Sequence, residues 1–391
     1  MRNFVFYSPT LYSFGDGQEQ SIGELVRRFG GTKVLLVHYG GDFLKWTTVH
    51  TDVTTALDAA GIPYAELTGV QPNPRSDKVY EGIEICRKEK CDFVVALGGG
   101  SCIDCAKAVA LGATYDGDFW DFFTEKTPIT QTLPVGVVLT IAASGSEGSG
   151  HCVITHTEGN LKWGVPPTDI IRPKFAILNP RYTQTLPRYQ IACGAFDMFS
   201  HVCERYFTHT ADVRLTDRIS EALMRTAVDA GLRAVKDPSD YAAQADLMWV
   251  GNLAQNDSSG VGRIPDWASH LIEHELSALF ECAHGAGLAI VMPAYMQYVM
   301  NKDVRRFAQL AVEVFGCEMN WEKPELTAQE GINRVKQFCK DMGLPTTLGE
   351  VGATEADIPT IVEHRNEKGF PFGYYVPIGP EEMAEVLKLA L

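Results

Sequence analysis

Four apolar runs in the first half of the chain each end in a turn signal. Lys33–Val37 is followed by Gly40-Gly41, Asp92–Leu97 by Gly98-Gly99-Gly100, Val135–Thr140 by Ser144-Gly145-Ser146, and Phe175–Leu178 by Asn179-Pro180. Runs that are apolar almost throughout, rather than at alternate positions, mark strands of a parallel sheet covered on both faces. Helices fill the intervals. Such sheets bind ligands at the carboxyl ends of their strands, where all four turns fall. After Pro187 the apolar spacing changes to three and four residues, and strand signals nearly vanish. The pattern predicts helices over roughly 188–207, 212–235, 240–257, 266–280, 285–300 and 303–315. Thr185 and Pro187 supply a helix start. The expected fold class is therefore α/β plus all-α: an α/β domain over 1–185 and an α-helical domain over 186–391.

A chain of 391 residues exceeds the roughly 250–300 that one core usually serves, which also favours two domains. Net charge is −15, from 34 basic and 49 acidic residues. That surface argues against nucleic acid or an anionic membrane as partner. The N-terminal Met1-Arg2-Asn3-Phe4 does not develop into a signal peptide, and no apolar run approaches the ~20 residues of a membrane span. Ten scattered cysteines fit a reducing cytoplasm better than a disulfide scaffold. Cys102 and Cys105 form a single C-x-x-C, which we read as packing because no second pair exists.

Gly98-Gly99-Gly100-Ser101 follows a strand and opens a helix. Glycines admit a phosphate to the backbone, free helix N–H groups favour its charge, and Ser101 adds a hydroxyl that also suits a helix cap. An ordinary tight turn has the same composition, and the sequence is not G-x-G-x-x-G. The loop Thr140-Ile-Ala-Ala-Ser144-Gly145-Ser146-Glu147 offers hydroxyls to a pyrophosphate or nicotinamide amide, or is simply polar. Asn73 stands between Pro72 and Pro74 in a rigid loop. Lys162 is either a ribose or phosphate contact or a solvated lysine.

In the second half, Asp197 and His201 are four residues apart, so a helix places them on one face. His270 and His274 repeat the spacing, and His284 precedes Gly285 at a helix end. Their neighbours are apolar: Ala195, Phe196, Phe199, Leu271, Ile272 and Leu276. Buried imidazoles and a carboxylate need partners. Asp197, His201, His270 and His284 suit a divalent ion such as Fe²⁺ or Zn²⁺. The rival is a zinc hydrolase, but His274-Glu275-Leu276-Ser277-Ala278 lacks the second histidine of His-Glu-x-x-His.

Over nearly its whole length the chain resembles the iron-dependent (group III) alcohol dehydrogenases, in particular their butanol dehydrogenase-like aldehyde reductases. The likeness rests on Gly98-Gly99-Gly100-Ser101-x-x-Asp104-x-x-Lys107, on Thr140–Glu147, on Asp197-x3-His201, and on His270-x3-His274-x9-His284-Gly285. The resemblance implies a dehydroquinate synthase-like arrangement of a nucleotide-binding domain followed by a helical one. It implies that Asp197, His201, His270 and His284 hold one Fe²⁺ or Zn²⁺, and that His274 faces substrate as a candidate proton relay. It marks Gly99, Gly100, Ser101, Asp104, Thr140 and Ser144 as cofactor-binding, with Gly40, Gly41, Asp42, Asn73 and Lys162 beside them.

The chain departs from the family at several points. Ser149 and His151 stand where polar residues, often asparagine, lie near the cofactor. The first turn reads Tyr39-Gly40-Gly41-Asp42-Phe43, whereas NADPH-preferring relatives tend to carry Gly-Gly-Gly-Ser. A carboxylate at Asp42 repels a 2′-phosphate and accepts from a ribose hydroxyl, so NAD(H) is expected over NADP(H). The expected protein is a cytoplasmic homodimer that interconverts short-chain primary alcohols and aldehydes. A polyol dehydrogenase acting on glycerol or propanediol is the nearest alternative. A dehydroquinate synthase-like lyase requires several basic residues near the metal motifs, where only Arg205 and Arg263 are found. A nucleotide sensor without turnover is disfavoured by the intact ligand set.

Overall fold

A computed structural model describes residues 1–391, with no helix long and apolar enough to cross a membrane. The chain forms two compact units. One comprises residues 7–186 and 238–256; the other comprises 1–6, 187–237 and 257–391.

The first unit is built from β1 (Leu11–Phe14), α1 (Ile22–Arg28), β2 (Val34–His38), α2 (Phe43–Trp46), α3 (Val49–Ala59), β3 (Tyr64–Leu67), α4 (Ser76–Glu89), β4 (Phe93–Gly98), α5 (Gly100–Ala113), β5 (Val135–Leu139), β6 (Val153–His156), β7 (Leu161–Gly164) and β8 (Phe175–Leu178). Six strands form one parallel sheet in the order β1-β8-β5-β4-β2-β3, and β6 and β7 pair as an antiparallel hairpin. Every residue of β2, β4, β5 and β8 is buried, as continuous apolar runs require when both faces are covered. The two edge strands, β1 and β3, do not follow from the run pattern. Leu11-Tyr-Ser-Phe and Tyr64-Ala-Glu-Leu mix polar and apolar positions and are only partly buried. Because β4 lies between β2 and β5, the turns after these three strands stand side by side at one edge of the sheet.

The helices from residue 188 onward are α6 (Arg188–Tyr206), α7 (Arg214–Lys236), α8 (Tyr241–Gln255), α9 (Ala268–Phe280), α10 (His284–Val299), α11 (Val304–Phe315), α12 (Pro324–Asp341), α13 (Ile358–Asn366) and α14 (Pro380–Lys388). The first six lie within two residues of their sequence-based bounds, and the last three are additional. α8 belongs to the sheet unit, although helical periodicity had grouped it with the other helices. Trp249 sets its ring edge-on to Tyr12 and Phe14 of β1 at 5.6 and 6.1 Å, and Asn252 donates to Glu147 Oε1 at 3.4 Å. Periodicity identifies a helix but not the surface that its face meets.

Candidate metal centre and nucleotide site

Five candidate side chains meet in the helical unit. α6 carries Asp197 and His201 on one face, α9 carries His270 and His274, and His284 is the first residue of α10. Asp197 Oδ1 lies 3.6 Å from His201 Nδ1, 3.9 Å from His270 Nε2 and 3.6 Å from His284 Nε2. Ligands of one tetrahedral ion at about 2.0–2.2 Å stand about 3.4 Å apart, so these separations fit a divalent ion beside Asp197, and the ligand atoms of Asp197, His201 and His270 all lie within 4.8 Å of one another. Asp197, His201 and His270 are almost wholly buried, and His284 is a quarter exposed.

The hydrogen bonding supports the same reading. Glu204 on α6 accepts from His270 Nδ1 at 3.0 Å and from the His270 backbone N–H at 2.9 Å. A carboxylate only accepts, so Nδ1 carries the proton and Nε2 presents its lone pair. That Nε2 is buried and makes no hydrogen bond, which is the state of a nitrogen kept for an ion. Burial, reinforced by the neighbouring His284, pushes His270 down to about 3, so the ring is neutral. Burial also pushes the Glu204 carboxyl up to about 7, against the pull of the N–H groups of His270, Trp267 and Ser269. His284 Nδ1 is paired with Glu273 of α9, and Glu273 is fully buried. The His274 ring sits 5.6 Å from that of His284, at the partly exposed rim. Trp267, the residue before α9, closes the other side, edge-on to His270 at 5.2 Å and beneath the Arg205 guanidinium at 4.6 Å. Glu204 and Glu273 were not among the residues singled out from sequence. The signal for Glu273 was available in His270-Leu-Ile-Glu273-His274; nothing local marks Glu204.

Arg205 and Arg263, the basic residues nearest the motifs, are both buried, and Arg263 is bound to Asp217 at 2.9 Å. Neither arrangement resembles a set of cations awaiting an acidic substrate.

The nucleotide candidates lie in the sheet unit. Gly40 and Gly41, after β2, are left-handed with φ of 72° and 55°. Asp42 follows them with its carboxylate two-thirds exposed and paired to Lys45 at 2.6 Å. Gly99 and Gly100 open α5 without positive φ; their glycine identity comes from crowding. A Cβ on Gly99 would meet Ile141 Cγ2 at 1.9 Å, and one on Gly100 would meet Ser144 Oγ at 2.4 Å. The two loops therefore touch, and Tyr39 Oη accepts the Gly99 N–H at 3.3 Å. Gly99, not Ser101, is the residue that caps α5; Ser101 is one position inside it. Thr140 is buried and its N–H donates to Gly98 at 3.1 Å. Asn73 is left-handed at φ 53°, and Lys162 lies buried on β7.

Asp104 points inward. It accepts from Ser146 Oγ at 2.6 Å and from the Val153 N–H at 2.9 Å. Lys107 Nζ donates to Ser146 O and Oγ, Ser149 O and His151 O, all within 3.0 Å. These two residues hold the loop after β5 from below. Cys102 and Cys105 are free and buried, and burial pushes the Cys105 thiol up to about 12. Both are packing residues.

A separate cluster joins β2, α3 and β3: Glu66 receives His38 Nε2 at 3.1 Å and His50 Nε2 at 3.2 Å. His38 Nδ1 accepts the Gly40 N–H at 3.2 Å. The proton of His38 therefore lies on Nε2, toward Glu66, and the group is a hydrogen-bonded brace for the first turn.

Comparison with known proteins agrees with this geometry. The sequence model for iron-containing alcohol dehydrogenase matches residues 9–180, and that for the family's C-terminal region matches 191–391. NADH-dependent butanol dehydrogenase A of Clostridium acetobutylicum is 39% identical, covering 99% of each chain. NADPH-dependent aldehyde reductase YqhD of Escherichia coli is 32% identical, covering 94% of each. The crystal structure of NADH-dependent butanol dehydrogenase A from Thermotoga maritima superposes with a TM-score of 0.95 at 41% identity, covering 100% of this chain and 99% of that one. The chain belongs to the iron-containing alcohol dehydrogenase family and is an oxidoreductase of that type.

Proposed function

We propose that this enzyme interconverts short-chain primary alcohols and aldehydes, with NAD(H) as hydride carrier and Fe²⁺ or Zn²⁺ held by Asp197, His201, His270 and His284. The observation that carries this reading is the convergence of three imidazole nitrogens on Asp197 Oδ1 within 3.9 Å. When bound, the ion supplies Lewis acidity that polarises a carbonyl oxygen and stabilises the charge that hydride addition places there. Gly99, Gly100 and the α5 N-terminus receive the pyrophosphate, with Ser101, Thr140 and Ser144 on the same loops. Bound reduced nucleotide would supply the hydride for the carbonyl carbon, and His274 would deliver a proton to the product oxygen from the rim. Trp267 keeps water from the ligand rings. The sheet unit (7–186 and 238–256) would carry the nucleotide, and the helical unit (1–6, 187–237 and 257–391) the ion and His274.

Preference for NADH has two supports. The clostridial relatives are named NADH-dependent, and Asp42-Phe43 replaces the glycine and serine of NADPH-preferring sequences. Lys45 offsets part of the Asp42 charge, so the preference should be moderate. The test uses protein stripped with a chelator and reloaded with Fe²⁺ or Zn²⁺, then given butanal with NADH or NADPH. Metal-dependent loss of reduced-nucleotide absorbance is expected, faster with NADH. No turnover of butanal, alongside turnover of 1,3-propanediol with NAD⁺, would replace this reading with the polyol one.

A further inference from the structure

We infer that Glu204 and Glu273 are positioning residues that fix the proton and the aim of two ligand histidines, and thereby set the affinity of the centre for its ion. The inference rests on the ligand set proposed above, and each carboxylate meets the Nδ1 atom of its ring, not the Nε2 atom that faces Asp197.

Each carboxylate holds the Nδ1 side of one ring while the Nε2 side of that ring faces Asp197. For His270 the separations are 3.0 Å from Nδ1 to Glu204 Oε1 and 3.9 Å from Nε2 to Asp197 Oδ1. For His284, Nδ1 meets Glu273 Oε2 and Nε2 stands 3.6 Å from Asp197 Oδ1. A carboxylate partner locks the Nδ1–H tautomer, stops the ring from turning, and raises the basicity of the opposite nitrogen. Without it, either nitrogen can carry the proton, and the ring aimed at the ion is a donor part of the time.

Both carboxylates are built in rather than incidental. Glu204 and Glu273 are buried at 2% and 0% exposure. Glu204 also accepts the Trp267 N–H at 3.0 Å and the His270 N–H at 2.9 Å. N–H groups at a helix start have no acceptor within the helix, so an acceptor on α6 closes the start of the helix that bears His270. Trp267 adopts a left-handed backbone, φ 72°, to turn its N–H toward that carboxylate. Glu273 has room only because position 287 is glycine: a Cβ there would meet Glu273 Oε1 at 2.7 Å and Cγ at 2.8 Å. Glu273 and Gly287 lie on successive helices, and together they let α9 hold the first residue of α10.

The experiment is competition for Zn²⁺ between the apoprotein and a chromophoric chelator, with the absorption of the Co²⁺-loaded protein as a second readout. The variants are Glu273→Gln, Glu273→Leu, Gly287→Ala and Glu204→Gln, with His270→Ala as reference. We expect wild type to bind one ion, His270→Ala to lose it, and the Glu204 and Glu273 variants to bind about 10–100-fold more weakly. Glu273→Gln keeps an acceptor oxygen and should fall between wild type and Glu273→Leu. Gly287→Ala leaves every ionisable group in place and should resemble Glu273→Leu. The Co²⁺ band should shift in each. Thermal melts of the apoproteins show whether a variant folds; should Glu204→Gln not fold, the Glu273 and Gly287 variants decide. Folded variants with wild-type Zn²⁺ affinity and an unchanged Co²⁺ band would overturn the inference, even if their melting points fell. If wild type bound no ion, or His270→Ala bound it normally, the ligand set itself would be wrong and the inference would fall with it.

Discussion

Single residues divide sharply by how they announce themselves. Asp197, His201, His270 and His284, the ligands we propose, could be picked out because four-residue spacing on a helix and a helix start are local geometry. Glu204 was not, since its partner lies 66 residues away and a glutamate on a helix normally reads as solvent-facing. His274 separates the ligand role from the relay role. His274→Ala should retain the ion and lose about 10²–10⁴-fold in kcat; metal analysis of the purified variant checks it, and loss of the ion would move His274 into the ligand set. His364 offers a pH test away from the centre. Its Nδ1 hydrogen bond to Glu275 Oε2, at 2.6 Å, raises its pKa above the ordinary histidine value. A group raised in the folded state stabilises fully below the unfolded value of about 6.5 and loses that contribution as pH climbs through the folded value. Urea midpoints should therefore fall between about pH 6 and pH 8 more steeply for wild type than for His364→Gln. Parallel slopes would remove His364 from the pH dependence.

At the scale of elements, buried strands declared themselves and edge strands did not. β2, β4, β5 and β8 are apolar throughout because helices cover both faces, whereas β1 and β3 have one neighbour each and tolerate Tyr12, Ser13 and Glu66. The loops we propose for the nucleotide stand out in sequence by their glycines and hydroxyls, but the bonds of Asp104 to Ser146 Oγ and the Val153 N–H do not. Lys107 is fully buried, and Asp104 partly buried, beneath the loop they support. Burial pushes the Asp104 carboxyl up and the Lys107 ammonium down, and each charge opposes that shift in the other. Removing one member of such a pair typically costs about 3–5 kcal/mol. Lys107→Met should therefore lower the melting temperature and raise KM for NADH more than it lowers kcat. Its Zn²⁺ affinity should stay at the wild-type value, because the ligands we propose are in the other unit. Equal changes in KM and metal affinity would mean general unfolding instead.

The whole molecule carries a net charge of −15, and its cofactor is an anion. Like charge slows encounter, and salt screens it over a Debye length that shrinks from about 30 Å at 0.01 M to about 8 Å at 0.15 M. The value of kcat/KM for NADH should thus rise over that range, and more so for NADPH. A fall would reveal a local basic field that outweighs the total charge. Class and family were legible at this scale because motifs at 98–107, 197–201 and 270–285 span the chain. The division into units was only half legible: a boundary near residue 185 follows from the change of period, but the return of α8 to the sheet unit does not. That return has a consequence for the order of synthesis. A ribosome adds roughly 5–20 residues each second from the N-terminus. It delivers Asp197 and His201, then the last helix of the sheet unit, and only afterwards His270 and His284. The sheet unit can thus close on the growing chain while half of the proposed ligand set is still to come. The four residues we propose as ligands are then completed last, after the sheet unit has its final helix.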